Sequence, residues 1–151
     1  MLTFFLTWTT YGTWLHGDDR GSVVAGRTSR AMRFVKRDPE MLIESADRMA
    51  EEPLVLDADL RRLVEGVIRE HCAIRAWRIH AINVRSNHVH VVLDANVRPE
   101  VVMGQLKAWS SRALHERLPT RERIWTRHGS TRWLKGESAI LHAIDYVMNQ
   151  Q

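Results

Sequence analysis

The 151-residue sequence contains only one cysteine, Cys72, and no long apolar run. The first feature excludes a protein with internal disulfides, and the second argues against a membrane-spanning protein. A single thiol cannot form an internal disulfide, which fits a protein of the reducing cytoplasm. No stretch is long and apolar enough to predict a membrane span, and the opening MLTFFLTWTTYGTWL lacks the basic leader of a secretory signal. We therefore expect a cytoplasmic protein with no membrane partner.

A glycine-rich loop of the kind that cradles nucleotide phosphates is also missing, so we expect no nucleotide cofactor. The composition is that of an ordinary globular protein, because 44% of the residues are hydrophobic and 26% are charged. The length suits one compact core. The sequence therefore predicts a single domain over residues 1–151.

Hydrophobic periodicity predicts an alternation of strands and helices. The expected order is a strand at 2–9, a long loop insertion at about 10–56 with a short helix at 39–50, a helix at 60–74 capped by Asp57 or Asp59, strands at 77–85 and from 88, a helix at 99–118, a strand at 123–134 broken at Gly129–Ser130, and a helix at 137–150. The core order β-α-β-β-α-β is that of the α+β, ferredoxin-like split fold, an antiparallel sheet with helices on one face. The last helix is an addition at the C-terminus.

The stretch SNHVHVVLDA at 86–95 places two histidines one residue apart within a predicted strand. Because strand side chains alternate between faces, His88 and His90 share one side with Asp94, and the aliphatic residues between them form a core-facing row. Alternate positions lie about 7 Å apart, so the two imidazoles can converge on one ion or phosphate. The alternative is a polar row on a solvent-facing side of the sheet.

The last predicted helix carries a tyrosine at the margin of its packed face. On a helical wheel, His142, Tyr146 and Gln150 form one stripe. That stripe lies beside an apolar sector made of Ile140, Ile144, Val147 and Met148. Packing can fix such a phenol ring and leave its oxygen exposed. The alternative is an interfacial tyrosine with only a structural role.

The net charge of +4 is unevenly distributed, since basic residues crowd the N-terminal and C-terminal thirds of the chain. Tryptophans are interleaved with the C-terminal cluster. Cationic side chains hold phosphate backbones, and indoles stack on unpaired bases, so this pattern favours nucleic-acid binding. The alternative is a solvated cationic face with its tryptophans in the core.

The ordered combination of HVH at 88–90, preceded by Asn87, and YVMNQ at 146–150 closely resembles the single-tyrosine HUH transposases. These comprise the transposases of IS200-type insertion sequences and the REP-associated tyrosine transposases. TWTTYGTWL at 7–15, the GDDRG that follows, and WTRHGSTRWL at 125–134 are similar to a subgroup of that family, so the resemblance spans nearly the whole chain. It implies a ferredoxin-like fold, with His88, His90 and Gln150 as ligands of Mg²⁺ or Mn²⁺ and Tyr146 as the nucleophile.

The resemblance further implies an enzyme that cleaves and rejoins single-stranded DNA beside short hairpins through a 5′-phosphotyrosine intermediate. It also implies a homodimer. The basic, tryptophan-bearing segments are the expected places for DNA contacts, and the candidates are Trp14, Arg20, Arg27, Lys107, Arg112, Trp125, Arg127 and Arg132. Asp94 is a lesser candidate ligand, and His142 is not part of the implied set.

Other functions remain open at this point. A non-catalytic or domesticated relative that binds nucleic acid would keep the basic segments without needing the histidines and the tyrosine. A metal-dependent nuclease acting on RNA would use the same groups. The histidine-triad nucleotide hydrolases also carry alternating histidines on a strand, but they need a third where this sequence has Val92.

Overall fold

The computed structural model describes residues 1–13 and 51–149. Its elements in chain order are β1 (Leu2–Thr10), α1 (Ala58–Arg75), β2 (Arg78–Val84), β3 (His88–Ala95), α2 (Pro99–Arg117), β4 (Trp125–Leu134) and α3 (Glu137–Asn149). The four strands form an antiparallel sheet in the order β2-β3-β1-β4. The α+β class and the split β-α-β-β-α-β order are therefore confirmed. Most of the predicted insertion, with its short helix at 39–50, lies outside the described residues.

The chain divides into two compact units. One is formed by Met1–Thr10 and Val55–Gln151, and it contains every element named above. The other is Tyr11–Leu54, in which the backbone N–H of Leu54 donates to the carbonyl of Tyr11 at 2.9 Å. The single domain over 1–151 with an insertion at about 10–56 stays a prediction.

Both faces of the sheet are covered by helices. Two helices, α1 and α2, lie on one face, as expected for the split fold, and Met103 of α2 packs there against Gly129 of β4. The additional helix α3 covers the opposite face. There it forms a hydrophobic cluster whose buried members are Phe5, Ala81, Val92, Leu134, Ala143 and Val147. Because it is central and covered on both sides, β1 is buried over most of its length.

Local sequence accounts for the ends of α1. The Asp57 carboxylate accepts a hydrogen bond from the backbone N–H of Leu60 at 2.9 Å, so Asp57 and not Asp59 is the cap. The helix ends at Arg75, and the C-cap residue Ala76 adopts a left-handed conformation with φ of 62°. Among the described helices, none combines the length and the apolar content that a membrane span needs.

Two details differ from the sequence-based expectation. The strand β4 runs through Gly129–Ser130 without a break. Its irregularity lies nearer the start of the strand, where Trp8 of β1 pairs with Gly129 and Thr10 pairs with Trp125, so that an advance of two residues in β1 corresponds to four residues in β4. A bulge of this kind adds residues to one strand without ending its pairing. Met148, placed by the helical wheel in the apolar sector, is 54% exposed because α3 buries the neighbouring Ala143 and Val147 instead.

Candidate active site

The β2–β3 hairpin brings the two histidines onto the face of the sheet that α3 covers. His88 pairs with Thr9 and His90 pairs with Thr7 of β1, and the centroids of the two imidazole rings lie 4.7 Å apart. The expected core-facing row on the other side of β3 is confirmed, since its valines and leucine are fully buried. The histidines therefore share one face, as the alternation predicts.

A hydrogen bond at Nδ1 holds each imidazole ring. The Nδ1 of His88 lies 2.8 Å from the side-chain oxygen of Asn87. Because an amide oxygen can only accept, this bond places the proton on Nδ1 and presents the Nε2 lone pair as the ligand atom. The Nδ1 of His90 lies 2.8 Å from the hydroxyl of Thr7 and is held in a buried position. Partners of this kind orient metal-binding histidines.

Burial keeps His90 neutral. The ring is only 7% exposed, and its pKa falls from 6.5 to about 4, mainly because of desolvation and further because of His88 and Arg85 nearby. At neutral pH the imidazole therefore carries no charge. Only the neutral form of the ring has a lone pair to give to a cation.

Tyr146 on α3 lies over the same face. Its ring centroid is 5.7 Å from that of His90 and 6.0 Å from that of Phe5, and Phe5 and His90 are themselves 5.6 Å apart. The tyrosine is 40% exposed, so the ring is packed on one side while part of the side chain faces solvent. The structure thus brings Tyr146 and the two histidines together within a single chain.

Two kinds of contact hold α3 against the sheet at this point. One is the hydrophobic cluster that includes Phe5 and Val147. The other is a hydrogen bond of 2.9 Å from the side-chain amide of Asn83 to the backbone carbonyl of Val147, the residue after Tyr146. Asn83 pairs with His90 across β2 and β3, so this hydrogen bond fastens the tyrosine helix to the strand next to the histidine strand, at the level of His90.

The third expected ligand, Gln150, lies outside the described residues, since the described part of α3 ends at Asn149. Across residues 1–13 and 51–149, no group of three or more His, Cys, Asp or Glu side chains is arranged to hold a metal ion. The Asp94 carboxylate accepts from the Thr3 hydroxyl at 2.6 Å and pairs with His80 at 2.9 Å, so it is engaged away from the two histidines.

The candidate DNA contacts fall into different environments. Trp14, Arg20 and Arg27 lie outside the described residues. The Lys107 ammonium donates to the Thr126 carbonyl at 2.8 Å, and burial lowers its pKa. The indole N–H of Trp125 donates to the Lys107 carbonyl at 3.0 Å, so these two side chains hold β4 against α2.

The remaining described candidates are more exposed. The guanidinium of Arg112 lies 4.7 Å from the ring centre of the exposed Trp109 on α2. Arg127 is exposed on β4. Arg132, also exposed, lies over the Phe5 ring at 5.7 Å, on the same ring that contacts His90 and Tyr146.

Sequence reasoning did not single out Phe5, Thr7 or Asn83. Phe5 and Thr7 lie on one face of β1, and the apolar Phe4 and Leu6 lie on the other. Thr7 is a polar residue in the middle of a largely apolar strand, and that feature could have drawn attention to Thr7. Their role becomes visible only when β1 pairs with β3.

Comparison with known proteins gives a family and a fold. The family model "Transposase IS200 like" matches residues 49–150. A REP-associated tyrosine transposase solved bound to a REP hairpin is similar in structure, with a TM-score of 0.53 and 13% identity over 97% of this chain and 64% of that one. At that identity the likeness shows the fold alone.

A protein of Deinococcus radiodurans provisionally named a transposase gives a TM-score of 0.48 and 16% identity over 99% of this chain and 91% of that one. No curated protein matches the sequence significantly. The chain spans about 64% of the length of the hairpin-bound structure. Since the family model covers well over half of the residues, the chain belongs to the IS200-like transposase family.

Proposed function

We propose that this transposase cleaves and rejoins single-stranded DNA, with Tyr146 as the nucleophile and with His88, His90 and Gln150 as ligands of Mg²⁺ or Mn²⁺. The observation that supports it is the packing of one tyrosine ring 5.7 Å from a histidine that is itself 4.7 Å from a second histidine. A nucleophile beside a pair of neutral nitrogen ligands is the arrangement that metal-assisted phosphoryl transfer needs.

The donor set fits a divalent cation. Two imidazoles oriented through Nδ1, together with a carboxamide at Gln150, would give three neutral ligands. Neutral ligands alone bind a cation weakly, so an anionic phosphate would complete the site, and imidazole suits Mn²⁺ at least as well as Mg²⁺. When bound, such an ion would act as a Lewis acid on a phosphate oxygen.

The chain's own residues perform the bond-making step. The Tyr146 oxygen attacks phosphorus and forms a P–O bond, while the bond from phosphorus to the 3′ oxygen breaks. The phenol proton leaves to water, since a free phenol has a pKa of about 10, and the departing 3′ oxygen takes up a proton. The product is a 5′-phosphotyrosine and a 3′-hydroxyl. A second 3′-hydroxyl can reverse the step and join strands without a nucleotide cofactor.

We propose single-stranded DNA with hairpin ends as the substrate and a homodimer as the working form. A REP hairpin is bound by the similar solved transposase, and an exposed arginine, Arg132, lies beside the candidate site of this chain. Cationic side chains next to a phosphoryl-transfer site hold the nucleic-acid backbone in register.

The proposal is tested by incubating the protein with end-labelled hairpin DNA and Mn²⁺ and resolving the products on a denaturing gel. The wild type should give a protein–DNA adduct, and Tyr146→Phe should remove it while DNA binding stays within about fivefold, since a single hydroxyl contributes at most about 1 kcal/mol to binding. The matched control is Tyr11→Phe, at the chain's other tyrosine, which should keep the adduct.

Each remaining outcome would overturn part of the proposal. Adducts that persist in Tyr146→Phe would reassign the nucleophile to Tyr11. DNA binding without cleavage in either metal would favour the non-catalytic relative, and RNA cleavage without an adduct would favour a metal-dependent nuclease. Full cleavage in EDTA would remove the metal ion from the mechanism.

A further inference from the structure

The Phe5 ring is the floor of the candidate site. Phe5 lies on the central strand β1 and is opposite Val92 in β3 and opposite Arg132 in β4. The buried ring contacts His90 at 5.6 Å and Tyr146 at 6.0 Å between centroids, and the Arg132 guanidinium carbon lies 5.7 Å from its centre. Because the strand order is β3-β1-β4, the histidines and the arginine flank Phe5 on opposite sides.

Arg132 has no counter-ion in the described part of the chain. Its side chain is exposed, and no carboxylate among residues 1–13 and 51–149 forms an ion pair with it. A cation–π contact with a buried ring fixes where the guanidinium lies without using any of its N–H donors. The five donors therefore remain available to an anion beside Tyr146.

We propose that Arg132 donates hydrogen bonds to a non-bridging oxygen of the phosphate that Tyr146 attacks. The inference rests on the proposed function. As the P–O(Tyr146) bond forms and the bond to the 3′ oxygen breaks, negative charge accumulates on the non-bridging oxygens. The histidine pair serves one side of that phosphate, and a planar guanidinium on the other side can bind the remaining oxygen through two N–H groups.

The test compares an ordinary phosphodiester with a methylphosphonate at the cleaved position, in which a methyl group replaces one non-bridging oxygen and removes the charge. On the phosphodiester, Arg132→Ala should lower the single-turnover cleavage rate by about 10²–10³, the range seen when one oxyanion donor is removed. The two methylphosphonate stereoisomers are tested separately. In the isomer whose methyl group replaces the oxygen that faces Arg132, the wild type and Arg132→Ala should cleave at similar rates, because that isomer has no oxygen there for Arg132 to bind. On the phosphodiester, the cleavage rate of Arg132→Lys should lie between the rates of the wild type and Arg132→Ala.

DNA affinity and thermal stability are measured for every variant. The matched control is Arg62→Ala, which removes one exposed arginine paired with Asp59 on α1, on the opposite face of the sheet, and should leave both rates unchanged. Equal losses on both substrates, or a loss that follows DNA affinity, would make Arg132 an ordinary backbone contact and overturn the inference. Absence of cleavage of the phosphodiester by the wild type would instead overturn the proposed function.

Discussion

The chemistry expected of His88 depends on which ring nitrogen carries the proton, and a single neighbour decides it. The Asn87 side-chain oxygen, 2.8 Å from Nδ1, can only accept, so Nε2 is the nitrogen with the lone pair. The proposed metal site therefore depends on the orientation of its ligands as well as on which residues supply them.

We expect Asn87→Ala to lower Mn²⁺ affinity by about 10–100-fold, because the ring then loses the partner that fixes its tautomer and orientation. The measurement is a Mn²⁺ titration followed by the electron paramagnetic resonance signal of the free ion. Asn96→Ala, in the loop after β3, is the control and should bind as the wild type does. Equal affinities in both variants would show that Asn87 does not orient the ligand.

Burial decides the reactivity of the one thiol. Cys72 is 1% exposed on the inner side of α1, and desolvation raises its pKa to about 11, with Arg69 opposing the shift. We expect iodoacetamide to label the native protein very slowly at pH 8 and to label it readily in urea. Fast labelling of the native protein would mean that α1 opens readily from the sheet.

The same shift has a defined consequence for stability. The folded thiol holds its proton at a pH where the unfolded thiol, with a pKa of 9.0, has lost it. The contribution of the protonated Cys72 thiol to the free energy of unfolding is therefore complete below pH 9, and it disappears as the pH rises toward about 11. Cys72→Ala should flatten the decline in the free energy of unfolding over that interval, as measured by urea titration.

At the scale of elements, two glycines with different surroundings test how tightly β4 is packed. A Cβ at Gly129 would lie 2.7 Å from the carbonyl oxygen of Thr7 and 2.8 Å from Sδ of Met103, so β1, β4 and α2 leave no room there. A Cβ at Gly104, on the exposed side of α2, would meet nothing within 4 Å.

We expect Gly129→Ala to lower the free energy of unfolding by about 1–3 kcal/mol, because the backbone of β1 cannot move away as a flexible side chain would. Gly104→Ala should raise it by about 0.5–1 kcal/mol, since alanine restricts the unfolded chain and favours the helix. Urea unfolding measures both. Equal effects of the two changes would contradict the packing described for β4.

The helices and strands themselves were largely predictable, because they depend on residues close in sequence. Asp57 caps α1 through a hydrogen bond to a residue three positions away, and the HVH alternation needs only strand geometry to put two rings on one side. The bulge in β4 was not predictable, since it arises from how that strand meets β1. Met148 was wrongly assigned to the packed face of α3, because a helical wheel shows the apolar stripe of a helix but not the angle at which the helix packs on the sheet.

At the scale of the whole molecule, the structure places Tyr146 against histidines of its own chain. The hydrophobic cluster and the bond from Asn83 hold α3 on the sheet from which those histidines come. We therefore expect each subunit to use its own tyrosine, whether or not the protein forms the proposed homodimer.

A mixing experiment measures this directly. Tyr146→Phe and His88→Ala should each be inactive, and a mixture of the two should stay inactive, because neither subunit then contains a complete site. Co-expression gives mixed dimers if dimers form, and light scattering reports the oligomeric state. Restored adduct formation in the mixture would show that subunits exchange the tyrosine helix.

The sequence by itself determined the element order, the shared face of His88 and His90, and a tyrosine at the margin of the last helix. These follow from backbone periodicity over a few residues. Only the tertiary structure decided that Thr7 bonds to His90, 83 positions away, and that Arg132 lies over Phe5. The register of β1 between β3 and β4 sets those contacts, and register follows from burying side chains that are distant in sequence.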